Sequence, residues 1–296
     1  MKLIPSFLEY LLLEKKYSEH TITAYKSDIE SFSDFIKKQF DQNTIKDVHY
    51  NQIRTWLVFL INNDCTNKTV NRKISSLKTF YKFLIKIKQI KESPLQKHKA
   101  LKVPKRVNVP FNLKEINQVL NTVNEKNDFL TLRNKLIVEL LYSTGMRRNE
   151  LITLKIKDVD LEQENIKVLG KRDKERYIPL LKSVQISIRK YVKIRKEFSQ
   201  QNDYLFITEK EKKLYGTLVY RVINSYFSTV SSKVKKSPHV LRHAFATHLL
   251  NEGADLNAVK ELLGHASLAS TQVYTNSSLK KIKQMYNQAH PRSKNK

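Results

Sequence analysis

Apolar residues return at three- and four-residue spacing along most of this 296-residue chain, and the period shortens to two only around residues 164–180. A chain so patterned folds mainly as amphipathic helices, each burying one stripe. With only five glycines, it has few points where a helix ends in a left-handed turn. Four helices are predicted first. Leu3 to Glu14 carries Leu3, Phe7, Tyr10 and Leu11. Thr21 to Phe40 carries Ile22, Tyr25, Ile29, Phe32 and Ile36. A third surrounds Ile53 to Ile61, and a fourth, from about Thr66, aligns Val70, Ile74, Leu77, Tyr81 and Leu84.

A second domain is expected after Pro110. Asn112 and Glu115 read as a capping box ahead of Ile116, Val119 and Leu120. A helix from Phe129 to Ser143 should stop at Gly145. Glu164–Leu169 and Arg176–Leu180 alternate as two short strands around a hairpin, and Tyr204–Thr208 is the candidate third. Helices then resume at about Lys182–Phe198, Gly216–Val230, Pro238–Asn251 and Ala254–Leu263. The fold class is therefore mainly α: a four-helix domain over residues 1–92, a basic linker over 93–110, and a mostly helical domain with a small three-stranded sheet over 111–296, ending in a tail from about 277.

Charge narrows the partner. Against 28 acids stand 55 lysines and arginines, a formal net charge of +27. Self-repulsion of that size calls for a polyanion. Residues 66–105 hold 12 lysines and arginines and one acid, Glu92. Because they occupy the polar face of an amphipathic helix and run on past Pro94 and Pro104, they suit a phosphate-tracking surface, although a merely solvated helix face would read similarly. Membrane is the rival polyanion. The longest apolar run, Trp56 to Ile61, is six residues, where a spanning helix needs about 20. Early Glu9 and Glu14 do not suit a secretory leader. Cys65 stands alone, so no intramolecular disulfide or thiolate metal cluster can form. A reducing cytoplasm is the expected setting.

Cleaving a phosphodiester without metal takes an in-line nucleophile, fixed positive donors and an acid for the leaving oxygen. Ser237 as N-cap and Pro238 as first helical residue would set His239 and Arg242 on one face of a helix start, where amides and dipole favour an anion. Zinc held by His239 and His243 is the weaker reading, for no acid lies between them. Arg147 follows the glycine turn at Gly145, with Glu150 three residues on and able to orient it. Lys171 sits in the hairpin, His265 beyond a helix end, and Tyr274 nine residues later. Taken singly, each has an ordinary structural meaning: a surface ion pair, a solvated lysine, a helix cap, a packing ring.

Their order is what resembles a family. The string Ser-Pro-His-Val-Leu-Arg-His-Ala-Phe-Ala-Thr-His-Leu-Leu at 237–250, then Gly253-Ala-Asp255, Leu-Leu-Gly-His265 and Thr-Gln-Val-Tyr274-Thr, looks like the second catalytic box of the tyrosine recombinases, Xer-type members in particular. Thr144-Gly-Met-Arg147 to Leu154 is similar to the first box, and Tyr17 to Tyr25 to the opening of the family's SAM-like DNA-binding domain. The resemblance covers nearly the whole chain. It implies that Arg147 and Arg242 clamp the scissile phosphate, that His239 and His265 donate hydrogen bonds to it and assist proton transfer, and that Glu150 supports Arg147. Lys171 would be the acid for the leaving 5′ oxygen, and Tyr274 the nucleophile that forms a 3′-phosphotyrosine.

One departure stands out. The family's Gly-Lys-Gly is here Gly170-Lys171-Arg172, which restricts the turn and makes Lys174 an alternative acid. Arg148, where the family more often has a smaller or apolar residue, reads as a surface side chain. The resemblance further implies no cofactor and no metal. Its substrate would be double-stranded DNA with paired, near-palindromic half-sites, bound by a homotetramer or by a heterotetramer with a second recombinase. A DNA translocase is a further candidate partner. The tail carries Leu279, Ile282, Met285, Tyr286 and Ala289 near helical spacing; it could pack on its own domain, but the resemblance implies docking on the neighbouring protomer, which is the expectation. Resolution of chromosome dimers at cell division is the leading role. Mobile-element integration, a type IB topoisomerase and a non-catalytic DNA-binding regulator are the alternatives.

Overall fold

The computed structural model describes residues 3–104, 109–121, 128–170, 174–199, 202–233, 235–264 and 276–293, with backbone alone for 276–281. Contacts divide the chain into two units, Met1–Arg106 and Val107–Lys296.

In the first unit, α1 (Leu3–Leu13), α2 (Glu19–Phe40), α3 (Tyr50–Asn62) and α4 (Asn67–Lys86) form a helical bundle. Helices α2 and α4 start where a side-chain hydroxyl replaces the missing amide acceptor: Ser18 Oγ accepts from Thr21 N at 3.4 Å and Thr66 Oγ1 from Thr69 N at 3.3 Å. Aromatic rings fill the interior, with Phe7 edge-on to Phe80 at 5.2 Å and Phe32 tilted on Trp56 at 4.8 Å. Asp28 of α2 is buried and takes bonds from Arg72, Lys73 and Ser76 of α4, so these two helices are joined by a neutralised carboxylate. Beyond α4, part of the stretch read as a linker is strapped to that helix. Leu95 is buried, Asn71 exchanges two hydrogen bonds of 2.9 Å with the Leu101 backbone, and Lys78 Nζ donates to the His98 carbonyl at 3.1 Å.

The second unit is built on α6 (Phe129–Thr144), buried along most of its length and touching α5 (Leu113–Asn121), α7 (Arg148–Thr153), α8 (Lys182–Phe198), α9 (Gly216–Ser228) and α10 (Pro238–Asn251). The capping box forms: Glu115 N donates to Asn112 Oδ1 at 2.8 Å and Asn112 N to Glu115 Oε2 at 2.7 Å. Three antiparallel strands lie in the order β1 (Val159–Asp160), β2 (Asn165–Leu169), β3 (Glu175–Pro179), with Ile166 opposite Ile178 and Val168 opposite Arg176. Helix α11 (Leu256–Leu263) and α12 (Asn276–Ala289) complete the unit.

Two expectations change. The sheet's third strand is β1, while Tyr204–Thr208 makes only isolated bridges, Lys155 to Tyr204 and Ile207 to Lys213. This stretch instead wraps around Arg195, 2% exposed, whose guanidinium donates to the carbonyls of Ser199, Asn202, Tyr204 and Leu205. The tail, expected on a neighbour, covers its own unit: Ile282, Tyr286 and Ala289 are buried, and Tyr286 Oη donates to the Ser143 carbonyl at 2.8 Å. Among the described residues no helix is long and apolar enough to cross a membrane.

His290 closes the tail in full burial. Burial first, then Arg292 and His248, push its pKa from 6.5 to about 3. Between those values the unfolded chain binds a proton that the folded one refuses, so stability rises with pH across the window and falls as pH drops. Melting temperature should therefore decline from pH 6.5 toward pH 4, and His290→Gln should flatten the decline. An equally steep fall in the variant would place the sensitivity elsewhere.

Candidate active site

The site begins with the turn that ends α6. Gly145 caps the helix at φ +60°, and a Cβ there would lie 2.3 Å from the Phe245 ring. Only glycine combines that backbone with that approach. The turn makes Arg147 the N-cap of α7, so Glu150 lies one turn on. Glu150 Oε2 accepts from the Arg147 amide at 2.7 Å and Oε1 from Arg147 Nη1 at 2.9 Å. Arg147 Nη2 reaches across to the Gly264 carbonyl at 3.0 Å.

Arg242, near the start of α10, arrives from the other side. Its Nη1 donates to the Gly145 carbonyl and its Nη2 to the Leu263 carbonyl at 2.6 Å. Both guanidiniums thus end on consecutive carbonyls at the C-terminus of α11, where the helix leaves acceptors unpaired and the dipole is negative. Gly264 ends that helix at φ +61°. Burial first, then Arg147 beside it, brings the Arg242 pKa down to about 10. Arg242 remains charged at neutral pH, and an anion between the two arginines would relieve their repulsion.

A third arginine, absent from the sequence-based candidates, completes the arrangement. Arg176 of β3 is 4% exposed, bonds both oxygens of Glu150 at 2.8 Å and donates Nε to the Leu262 carbonyl at 2.8 Å. Strand alternation placed it on the inward face with Ile178, and an inward arginine needs a carboxylate. That was the available signal. Burial would raise the Glu150 pKa, but Arg176 and Arg147 hold it below the usual carboxylate value. One carboxylate therefore faces three arginines, and the local charge stays positive.

His239 is exposed at the first turn of α10. Partial loss of water lowers its pKa, followed by the fields of Arg148, Lys235, Arg242 and Arg147, so the neutral imidazole prevails at neutral pH. Ser237 holds the N-cap position, but its hydroxyl does not cap, contrary to expectation. Its backbone is extended at φ −151°, and Oγ is buried without a partner among the described residues. Arg148 is exposed and its guanidinium lies against Gly216 at the start of α9, 2.8 Å from where a Cβ would stand. Lys174 is exposed, its carbonyl accepting from the Gly170 amide at 2.8 Å across the hairpin. Lys171, His265 and Tyr274 lie outside the described residues. Among the described residues no group of three His, Cys, Asp or Glu could hold a metal ion.

Two arginines from separate helices meeting on one helix end suit a phosphate, and comparison with known proteins gives the family. The phage integrase family profile matches residues 110–281, and that of the phage integrase N-terminal SAM-like domain matches residues 4–88. The chain belongs to the phage integrase family. This integrase-family chain is 35% identical to the tyrosine recombinase XerC of Pediococcus pentosaceus, with 99% of each covered. To the XerC of Bacillus subtilis it is 36% identical, covering 97% of this chain and 95% of the relative. In fold it is similar to the Tn1549 transposon integrase in complex with transposon right-end DNA (20% identity, TM-score 0.70, 96% and 99% covered). It is similar also to the XerH site-specific recombinase bound to its difH substrate (24%, 0.66, 90% and 76%). This integrase-family protein is a site-specific tyrosine recombinase, an enzyme that cuts and rejoins DNA strands.

Gly145→Ala should lower stability by about 2–5 kcal/mol, combining a strained left-handed backbone with overpacking against Phe245. Urea denaturation measures it. An unchanged midpoint would mean that the ring yields freely and that the turn is not fixed by this contact.

Proposed function

We propose that the recombinase cleaves one strand of each paired site through Tyr274 and Arg147, Arg242, His239, His265 and Lys171. The Tyr274 oxygen attacks phosphorus in line, the bond to the 5′ oxygen breaks, and a 3′-phosphotyrosine forms. Lys171, or Lys174 in its place, gives the departing 5′ oxygen its proton, while His239 and His265 hydrogen-bond the phosphate and help remove the phenolic proton. Because the phosphodiester energy stays in the phosphotyrosine, a 5′ hydroxyl from the partner duplex can attack it and exchange strands without ATP.

The convergence of Arg147 and Arg242 on the adjacent carbonyls of Gly264 and Leu263 supports this reading above all. Arginine suits the task because its planar fork meets phosphate bidentately. With Glu150 matching one positive charge, two remain for an anion whose charge grows in the transition state.

Paired sites imply four protomers on two near-palindromic DNAs, as a homotetramer or together with a second recombinase. Resolution of chromosome dimers at cell division, in the cytoplasm and with a DNA translocase as activator, is the role we favour, since the relatives named above are XerC recombinases. Residues 4–88, matched by the SAM-like domain profile, would bind DNA as well.

Incubation with a nicked cognate site should yield a DNA adduct stable to SDS. Tyr274→Phe should bind the site and yield none; an adduct of undiminished amount would remove Tyr274 from the mechanism. Arg242→Ala should slow adduct formation about 10²–10³-fold, as for loss of one preorganised donor, and a variant as fast as wild type would exclude Arg242 from the clamp.

A further inference from the structure

Arg176 is not among the residues assigned to the reaction, yet it bonds both the carboxylate that holds Arg147 and the helix end that receives Arg147 and Arg242. Glu150 accepts four hydrogen bonds, two from Arg147 at 2.7 and 2.9 Å and two from Arg176 at 2.8 Å each. A carboxylate has about four acceptor positions, so this one is saturated and held from two sides. The third Arg176 bond, from Nε to the Leu262 carbonyl at 2.8 Å, lies immediately before the two carbonyls that receive Arg242 and Arg147. Leu262, Leu263 and Gly264 therefore each receive a different arginine.

A glycine admits this packing. A Cβ on Gly264 would stand 3.2 Å from Arg176 Cδ and Nη1, whereas one on Gly170 would make only ordinary contact with this pair, 3.6 Å from Nη1 and 3.8 Å from Glu150 Oε1. The stem of the hairpin, the start of α7 and the end of α11 thus meet on one guanidinium. A buried ion pair is a weak stabiliser, because dehydrating both charges offsets their attraction, and apolar replacements often fold as well. Its value here lies in geometry.

We infer that Arg176 is a positioning residue for strand cleavage. It holds Glu150, and through it Arg147, in the same frame as the helix end that holds Arg242, so both guanidiniums meet the scissile phosphate without rearranging. The inference rests on the phosphate clamp proposed above. Lysine cannot replace it, since one ammonium does not supply a planar fork and a third bond at right spacing.

Arg176→Lys and wild type would be compared on nicked-site DNA whose scissile group is either the natural phosphate or a neutral methylphosphonate, which has less need of a cationic clamp. On phosphate, adduct formation by the variant should fall about 10²-fold, the loss expected from a displacement of about 1 Å. On methylphosphonate the variant should approach wild type, with DNA affinity unchanged on both. Equal loss on the two DNAs would reduce Arg176 to a structural residue, and no loss on phosphate would remove it altogether; either overturns the inference alone. If Arg176→Lys does not fold, Glu150→Gln, of equal size, is put through the same comparison with the same criteria. A wild type that forms no adduct would defeat the clamp reading and this one with it.

Discussion

The end of α11 is the constraint on which the catalytic unit depends. Three successive carbonyls there accept from Arg176, Arg242 and Arg147, which come from β3, α10 and the turn before α7. A helix always leaves its last carbonyls without internal donors, and solvent or a glycine turn usually satisfies them. Here that shortage becomes a template, fixing three long side chains whose sequence positions are far apart. The glycines at 145 and 264 serve it by turning the chain sharply where an ordinary residue would be strained.

Electrostatics explains why such crowding of like charge persists. Glu150 offsets one guanidinium and helix-end carbonyls solvate the others, while burial first and then the field of Arg147 lower the Arg242 pKa. The site is thus built around a positive surplus that DNA can neutralise. The same logic holds across the whole chain, whose +27 charge makes a polyanion the natural counterpart.

Much of this was legible in the sequence because it is local. The Gly145 turn, the Arg147–Glu150 spacing and the start of α10 each lie within a few residues, and helix geometry turns such spacing into contact. What stayed hidden depends on distance along the chain. Arg176 meets Glu150 across 26 residues and Leu262 across 86, and no local rule pairs them. The mistaken strand at 204–208 has another origin, since the segment curls around the buried Arg195 guanidinium. Ser237 shows the limit of propensity: it occupies the right position but its hydroxyl makes no capping bond. The tail's apolar spacing was evident, whereas the surface it would cover could not be read from spacing.

The depressed pKa of Arg242 bears on why this position holds arginine rather than lysine. Burial first, and then Arg147, lowers its pKa to about 10. A lysine would start from a lower value of about 10.4, so the same surroundings would leave it with far less margin before losing its charge. Guanidinium starts with the reserve to stay cationic in a partly buried, positively charged corner, so the charge of this cluster is insulated from ordinary swings in acidity.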